Sequence, residues 1–88
     1  MKLELYQEVA LTRDFPEHHL QQGDVATLID YVKHPEGEED GCILEVFNAL
    51  GDSLTVVIVP QTSVEPLRAD NVLTVRTIDD TRMIDPGK

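Results

Sequence analysis

Short apolar runs separated by polar turns make up most of this chain, and their spacing is that of β-strands. In residues 3–11 the apolar side chains mostly alternate with polar ones, which is the period of two typical of a half-buried strand. A helical face is the competing interpretation of this run. Pro16 and the threonine and valine content favour a strand.

The same criteria predict four further strands. The second has apolar residues on both of its faces, which a strongly bent barrel strand explains. The run LTVVIV is the most apolar window and is predicted to be the central strand, ending at Pro60 because proline cannot donate to a ladder. The predicted strands are residues 25–33, 42–49, 54–59 and 72–78, and residues 64–67 are expected as a short extended piece or a 3₁₀ turn.

A long polar loop, residues 13–22, separates the first two predicted strands. Pro16 fixes its own φ and biases Phe15 towards extended geometry. The run EHHLQQ is suited to one short helical turn, with Leu20 tucked beneath it as a plug. Gly23 then supplies a permissive backbone position at the entry to the second strand.

Three other segments are predicted to lack regular structure. Residues 35–41 are acidic and rich in turn formers, and we expect a solvated, mobile loop, because the carboxylate spacing of a calcium loop is missing. Residues 48–53 are predicted to form a tight turn centred on Gly51 and Asp52. The tail, residues 79–88, has little apolar content and is expected to be flexible.

These elements predict an all-β fold. No segment has a sustained helical period, and 88 residues suffice for one modest core. We therefore predict one domain, residues 1–78, folded as a small, five-stranded, partly open β-barrel with a long first loop and at most a short 3₁₀ turn. Closure of a barrel removes exposed sheet edges, which makes it economical for so small a chain.

The charge of the chain restricts its partners. Seven basic against seventeen acidic side chains give a net charge of −10, which repels nucleic-acid phosphates and anionic membrane surfaces. Solubility alone explains such acidity, and a basic partner protein is the other interpretation. Cys42 is the sole cysteine, so no intrachain disulfide forms. The absence of a signal-peptide pattern and of a long apolar run leads us to expect a cytoplasmic protein.

The sequence contains no convergent set of catalytic or metal-binding residues. The adjacent His18 and His19 point in different directions on either an extended or a helical backbone, and nothing in the spacing joins them to His34. Cys42 shares a strand face with Leu44, which favours a buried, hydrophobe-like thiol over a nucleophile. We therefore predict no catalytic, metal or cofactor site.

A surface that binds another protein is the remaining candidate site. We place it at the mouth of the first loop, where an aromatic side chain beside a proline is suited to holding a peptide. The alternative is that the few aromatic residues close the end of the barrel and belong to the core. The candidate partner-binding residues are Phe15, Pro16, His18, His19 and Tyr31.

Two strings, VALTRDFPEHHLQQGDVATLIDYV and LEVFNALGDSLTVVIVPQTSVEPL, carry a resemblance to a known family. Together they resemble the bacterial domain-of-unknown-function family 4926 over roughly residues 5–68. The resemblance implies an SH3-like small barrel and a bacterial, cytoplasmic protein. It implies no activity and supplies no catalytic residues. The acidic insertion and the segment after Val72 depart from the family pattern.

Three functional hypotheses remain open at this point. The first is a non-enzymatic, acidic protein-interaction module, either monomeric or homodimeric. The second is an antitoxin or immunity-type inhibitor, whose acidic surface would block the basic active site of a partner such as a nuclease toxin. The third is a metal-assisted hydrolase that uses His18, His19 or His34, for which the chain offers no nucleophile–base pair.

Overall fold

Five antiparallel strands form one sheet in the computed structural model, which describes residues 3–33 and 39–78. The strands are β1 (Glu8–Leu11), β2 (Val25–Val32), β3 (Gly41–Phe47), β4 (Ser53–Pro60) and β5 (Val64–Pro66). Their order across the sheet is β4-β3-β2-β1-β5. Within the described residues β4 and β5 do not pair with each other, so the sheet is not closed into a barrel. The all-β, five-stranded, partly open fold is confirmed.

Two 3₁₀ turns are the helical structure of the described chain. One spans Pro16–His18 in the first loop, and the other spans Gln61–Ser63 between β4 and β5. The first agrees with the short helical turn expected there. The second turns the chain away from β4 and delivers β5 to the far side of the sheet, beside β1.

The prediction of a strand at residues 72–78 is wrong. The fifth strand is β5, in which Val64 pairs with Leu11 and Pro66 with Val9. Because β5 occupies the edge of β1, residues 72–78 find no ladder there and adopt irregular structure. Val72 and Val75 in this segment are almost fully exposed. Residues 72–78 have the composition of a strand, but the edge of β1 with which they could have paired is bonded to β5.

The first strand is shorter than expected because the chain turns at Leu5 and Tyr6. Tyr6 has a positive φ of 67°, which interrupts an extended chain. Leu3 still reaches the core from the other side of this turn, with a buried side chain. The alternating pattern therefore predicted the burial of Leu3 correctly, although Leu3 lies outside β1, which begins at Glu8.

A β-bulge explains the two apolar faces of β2. Leu28 pairs with Leu44, but Asp30 pairs with Ile43, so one extra residue lies between them on β2. Because side chains alternate along a strand, this insertion moves the core-facing set from even to odd numbers. Ala26 and Leu28 are buried before the bulge, and Tyr31 packs on the core after it.

The core lies on one face of the curved sheet, beneath the first loop. It is mostly aliphatic, as the small number of aromatic residues predicts. Its buried hydrophobic members are Leu3, Val9, Leu11, Phe15, Leu20, Ala26, Leu28, Cys42, Leu44, Val46, Val57, Val59 and Val64.

A tight turn between β3 and β4 is confirmed, but its central residues are Ala49 and Leu50 rather than Gly51 and Asp52, because the N–H of Gly51 donates to the carbonyl oxygen of Asn48 at 3.0 Å. The side-chain oxygen of Asn48 accepts hydrogen bonds from the backbone N–H groups of Leu50 and Asp52, both at 2.9 Å. Gly51 has a φ of +91°, a conformation that side chains disfavour. The asparagine and the glycine together hold β4 against β3.

Candidate interaction surface

Phe15 belongs to the core and not to the surface. Its side chain is 2% exposed, and its backbone forms a two-hydrogen-bond bridge with Leu20, which is also buried. The guanidinium of Arg13 lies 4.0 Å from the centre of the Phe15 ring. Phe15 therefore belongs to the core, and its ring is not available to a partner.

The other loop residues predicted to bind a partner are more accessible. Pro16 and His19 are exposed, and His18 is half-buried beside the Phe15 ring. His19 has a positive φ of 60° and caps the end of the 3₁₀ turn, where its N–H donates to the carbonyl oxygen of Pro16. The described residues hold no group of three or more His, Cys, Asp or Glu side chains able to hold a metal ion. His34 lies outside the described residues.

Tyr31 lies on β2 with its ring against the core and its hydroxyl donating to the carbonyl oxygen of Leu3. Burial raises the pKa of the Tyr31 phenol, and the neighbouring Cys42 raises it further. The ring ties the N-terminal segment to the sheet. Among the five predicted partner-binding residues, Phe15 and Tyr31 thus have structural roles, and for the other three partner binding stays a prediction.

Cys42 is fully buried at the start of β3. Burial raises the pKa of its thiol, and the charges of Asp40 and Glu39 raise it further. A thiol with a raised pKa is protonated at neutral pH and is a weak nucleophile. The side chain fills the core as a small hydrophobe does.

The acidic loop is attached to the 3₁₀ turn before β5 through Glu39. Its carboxylate accepts hydrogen bonds from the backbone N–H of Thr62 at 2.9 Å and from its hydroxyl at 3.3 Å. These bonds lower the pKa of Glu39. The end of the loop predicted to be solvated and mobile is thus held in place, while residues 34–38 lie outside the described part.

The surface that the sequence did not reveal is the outer side of β3 and β4. Val56 is 52% exposed and Ile58 is 57% exposed, although both lie within the most apolar strand. Three further exposed hydrophobic residues lie on or beside these strands. We call this set the outer apolar face: Val32, Phe47, Leu54, Val56 and Ile58.

Because Gly41 has no side chain, Ile58 and Val32 approach each other across it and form a continuous part of the outer apolar face. A methyl group at Gly41 would lie 3.1 Å from Cγ2 of Ile58 and 3.9 Å from Cβ of Val32. The two side chains therefore cover Gly41 from both sides. Ile58 also pairs across the ladder with the half-buried Ile43, which extends the apolar surface inwards.

The backbone of β4 pairs with β3 on one side, and among the described strands none pairs with it on the other. The N–H of Gln61 donates to the carbonyl oxygen of Asp40 at 3.0 Å, which marks a hydrogen-bonded pair. Bonded and non-bonded pairs alternate along an antiparallel ladder. Val56 and Ile58 therefore occupy non-bonded positions, and their N–H and C=O groups point away from β3. We call this side of the strand the free edge of β4, since no other described strand pairs with it.

The prediction that the run LTVVIV forms the central strand is wrong, because β4 is at the edge of the sheet. Although the run is apolar throughout, only Val57 and Val59 are buried on β4. One signal was present in the sequence. No charged residue occurs from Ser53 through Val64, so the edge lacks the charges that usually protect such strands.

No family model matches the chain, and neither curated proteins nor solved structures gave a match. In the described residues, no helix has the length and apolar character needed to cross a membrane.

Proposed function

We propose that this chain is a non-enzymatic protein-interaction domain and that it binds through the free edge of β4 and the outer apolar face. The observation that carries the proposal is the coincidence of two features at Val56 and Ile58. Their side chains are exposed and apolar, and their backbone groups point to the free edge. An extended segment added to such an edge gains main-chain hydrogen bonds, and the side chains provide selectivity.

The surroundings of the reactive side chains support a role without catalysis. The thiol of Cys42 is buried, and burial raises its pKa, which makes it a weak nucleophile. We also propose, on its sequence motifs, that the chain belongs to family 4926 and is bacterial and cytoplasmic. The inhibitor of a basic partner stays an alternative that rests on net charge.

The test is capture of partners from the native host with the full chain, comparing two lysine variants. Ile58→Lys places a charge at the free edge, and Val75→Lys makes the same kind of change at a residue that is 94% exposed elsewhere. We expect a partner that is retained by the wild type and by Val75→Lys and lost with Ile58→Lys. Equal recovery with all three proteins would contradict the proposal.

Amide hydrogen exchange gives a second measurement on the same complex. The N–H groups of Val56 and Ile58 should exchange rapidly in the free monomer and become protected when the partner is bound. A partner captured at high salt would depend on apolar contacts. One lost at high salt would favour the acidic inhibitor, because screening weakens its attraction to a basic surface.

A further inference from the structure

We infer that the free edge of β4 is occupied by β4 of a second copy of this chain, in an antiparallel pair about a two-fold axis at Val57. The inference rests on the proposed function and names the partner for that edge. Two five-stranded sheets would then join into one continuous sheet. The interface would be isologous, with the same surface on both copies.

This register agrees with the backbone directions and centres the pairing on Val56 and Ile58. With the axis at Val57, Val56 of each copy lies opposite Ile58 of the other. Both residues point their N–H and C=O groups outwards, so each such pair exchanges two hydrogen bonds. Pro60 lacks an N–H, which ends the bonded region on that side. The side chains of Val56 and Ile58 then lie beside each other on one apolar surface.

The two edges of the sheet differ in how they are protected against such pairing. The strand β5 has only 3 residues and carries Glu65 and Pro66, both of which discourage pairing with another chain. The strand β4 has 8 residues, none charged, and proline only as its last residue. Edge-to-edge association is therefore directed to β4.

Charge also selects β4 as the contact between two identical chains. Each copy carries a net charge of −10, so two copies repel each other, and the repulsion is smallest where the contact itself holds no like charges. The uncharged run from Ser53 through Val64 is longer than any other uncharged run in the sequence. Glu45, opposite Val56 on β3, stays one strand away from the partner. Association at this edge therefore brings no two acidic side chains directly opposite each other.

This charge distribution predicts an unusual salt dependence. Screening reduces the repulsion between two acidic chains, so the dimer should tighten as salt is added. A complex with a basic partner would weaken under the same change. The sign of the salt effect therefore separates a second copy from a basic protein at the same surface.

Sedimentation velocity of the full chain tests the inference directly. We expect a monomer–dimer equilibrium between about 10 μM and 1 mM protein, with a lower Kd in roughly 0.5 M than in roughly 0.05 M NaCl. A monomer at every concentration and both salt levels would overturn the inference, as would a dimer that dissociates as salt is added.

Variants at the edge supply the matched comparison. Ile58→Lys should raise the dimer Kd about a hundredfold or more, because the charge enters the interface twice. Ile58→Thr, which keeps a β-branched side chain and adds no charge, should raise it about tenfold, so the conclusion does not depend on the stability of the lysine variant. Val75→Lys should leave the Kd within about twofold of wild type. An unchanged Kd in both Ile58 variants would overturn the inference.

Cysteine cross-linking tests the register. Val56→Cys and Ile58→Cys chains, mixed under mild oxidation, should form a disulfide-linked heterodimer faster than either chain links to itself, because these positions lie opposite each other. Cys42 is buried and serves as an internal control for unfolding. A faster homodimer of Val56→Cys would overturn the axis at Val57.

Failure of this inference is distinguishable from failure of the proposed function. A monomeric wild type that captures a host protein in an Ile58-dependent way overturns the second copy and supports the interaction domain. A monomeric wild type whose captured partners do not depend on Ile58 overturns both.

Discussion

The first loop and β4 place their apolar side chains in opposite ways. The loop is polar by sequence, yet Phe15 and Leu20 are 2% and 4% exposed. The strand β4 is the most apolar run of the chain, yet Val56 and Ile58 are more than half exposed. Local hydrophobicity therefore does not tell which of the two regions is buried.

The difference arises from what packs against each region. The loop bridges Phe15 to Leu20 through backbone hydrogen bonds of 2.9 and 3.1 Å, and both side chains enter the core. The strand β4 has β3 on one side and no described strand on the other. Its inner face packs on the core through Val57 and Val59, and its outer face faces solvent at Val56 and Ile58, as one side of an antiparallel sheet can. The loop thus contributes Phe15 and Leu20 to the core, whereas β4 exposes Val56 and Ile58 to solvent.

Truncation of one residue in each region should give the largest difference. Phe15→Ala removes a fully buried ring and should destabilise the fold by about 3–5 kcal/mol, much of the stability of a domain this size. Ile58→Ala should change the free energy of unfolding of the monomer by less than about 1 kcal/mol. Urea denaturation measures the free energy of unfolding of both variants, at protein concentrations low enough to keep the chain monomeric. Similar losses in the two variants would mean that the outer apolar face is covered in solution.

Replacing a glycine in either region with alanine should cause the next largest loss of stability. Gly23 ends the first loop with a φ of +92°, and Gly51 begins the β4 hairpin with a φ of +91°. A methyl group at either position meets no other atom within 4 Å, so the cost of alanine would be conformational, about 1–2 kcal/mol. Gly51→Asn should cost less, because asparagine tolerates positive φ. Equal stability of the alanine variants and wild type in thermal unfolding would refute this assignment.

An ion pair joins the first loop to residues 71–78, and its removal should have a modest effect. Arg76 pairs with Asp24, and their side chains are 27% and 19% exposed. Arg76→Ala should cost about 0.5–1 kcal/mol, less at high salt. Arg68→Ala is the matched control, because Arg68 pairs with Asp70 on an exposed surface. The prediction fails if the two alanine variants unfold at the same urea concentration.

Glu39 should give the smallest effect, visible as a pH dependence. Hydrogen bonds from Thr62 lower its pKa below the ordinary value of 4.5. Its stabilising contribution is therefore complete above pH 4.5 and is lost as the pH falls through the lowered value. Glu39→Gln should be slightly less stable than wild type at neutral pH, and the gap should close in acid. A stability difference between the two proteins that grows as the pH falls would contradict the predicted lowering of the Glu39 pKa.

Much of the fold could be predicted from the sequence because its signals are local. Alternation placed Leu44 and Val46 on a buried face, and Gly51 marked the hairpin turn. The proline in the first loop and the apolar Leu20 beneath it were also sufficient to predict a folded-over loop. Each of these signals depends on near neighbours in the chain, and local physics constrains them strongly.

The candidate site could not be predicted in the same way. Phe15 beside Pro16 has the composition of a peptide-binding motif, but the Phe15–Leu20 bridge turns its ring inwards. The run at residues 72–78 has strand composition, but β5 had already taken the edge of β1. Both outcomes depend on contacts between distant parts of the chain, which no local pattern contains.

The sequence by itself determined that the protein is an all-β chain with a mostly aliphatic core, a long first loop and a strongly acidic charge. Only the tertiary structure decided which strand lies at an edge and which apolar side chains face solvent. The physical reason is that alternation assigns side chains to two faces, whereas strand pairing decides which strand lies at an edge and tertiary packing decides which face is covered. For β4, nothing described covers the outer face, and the uncharged edge from Ser53 to Pro60 is left for another chain.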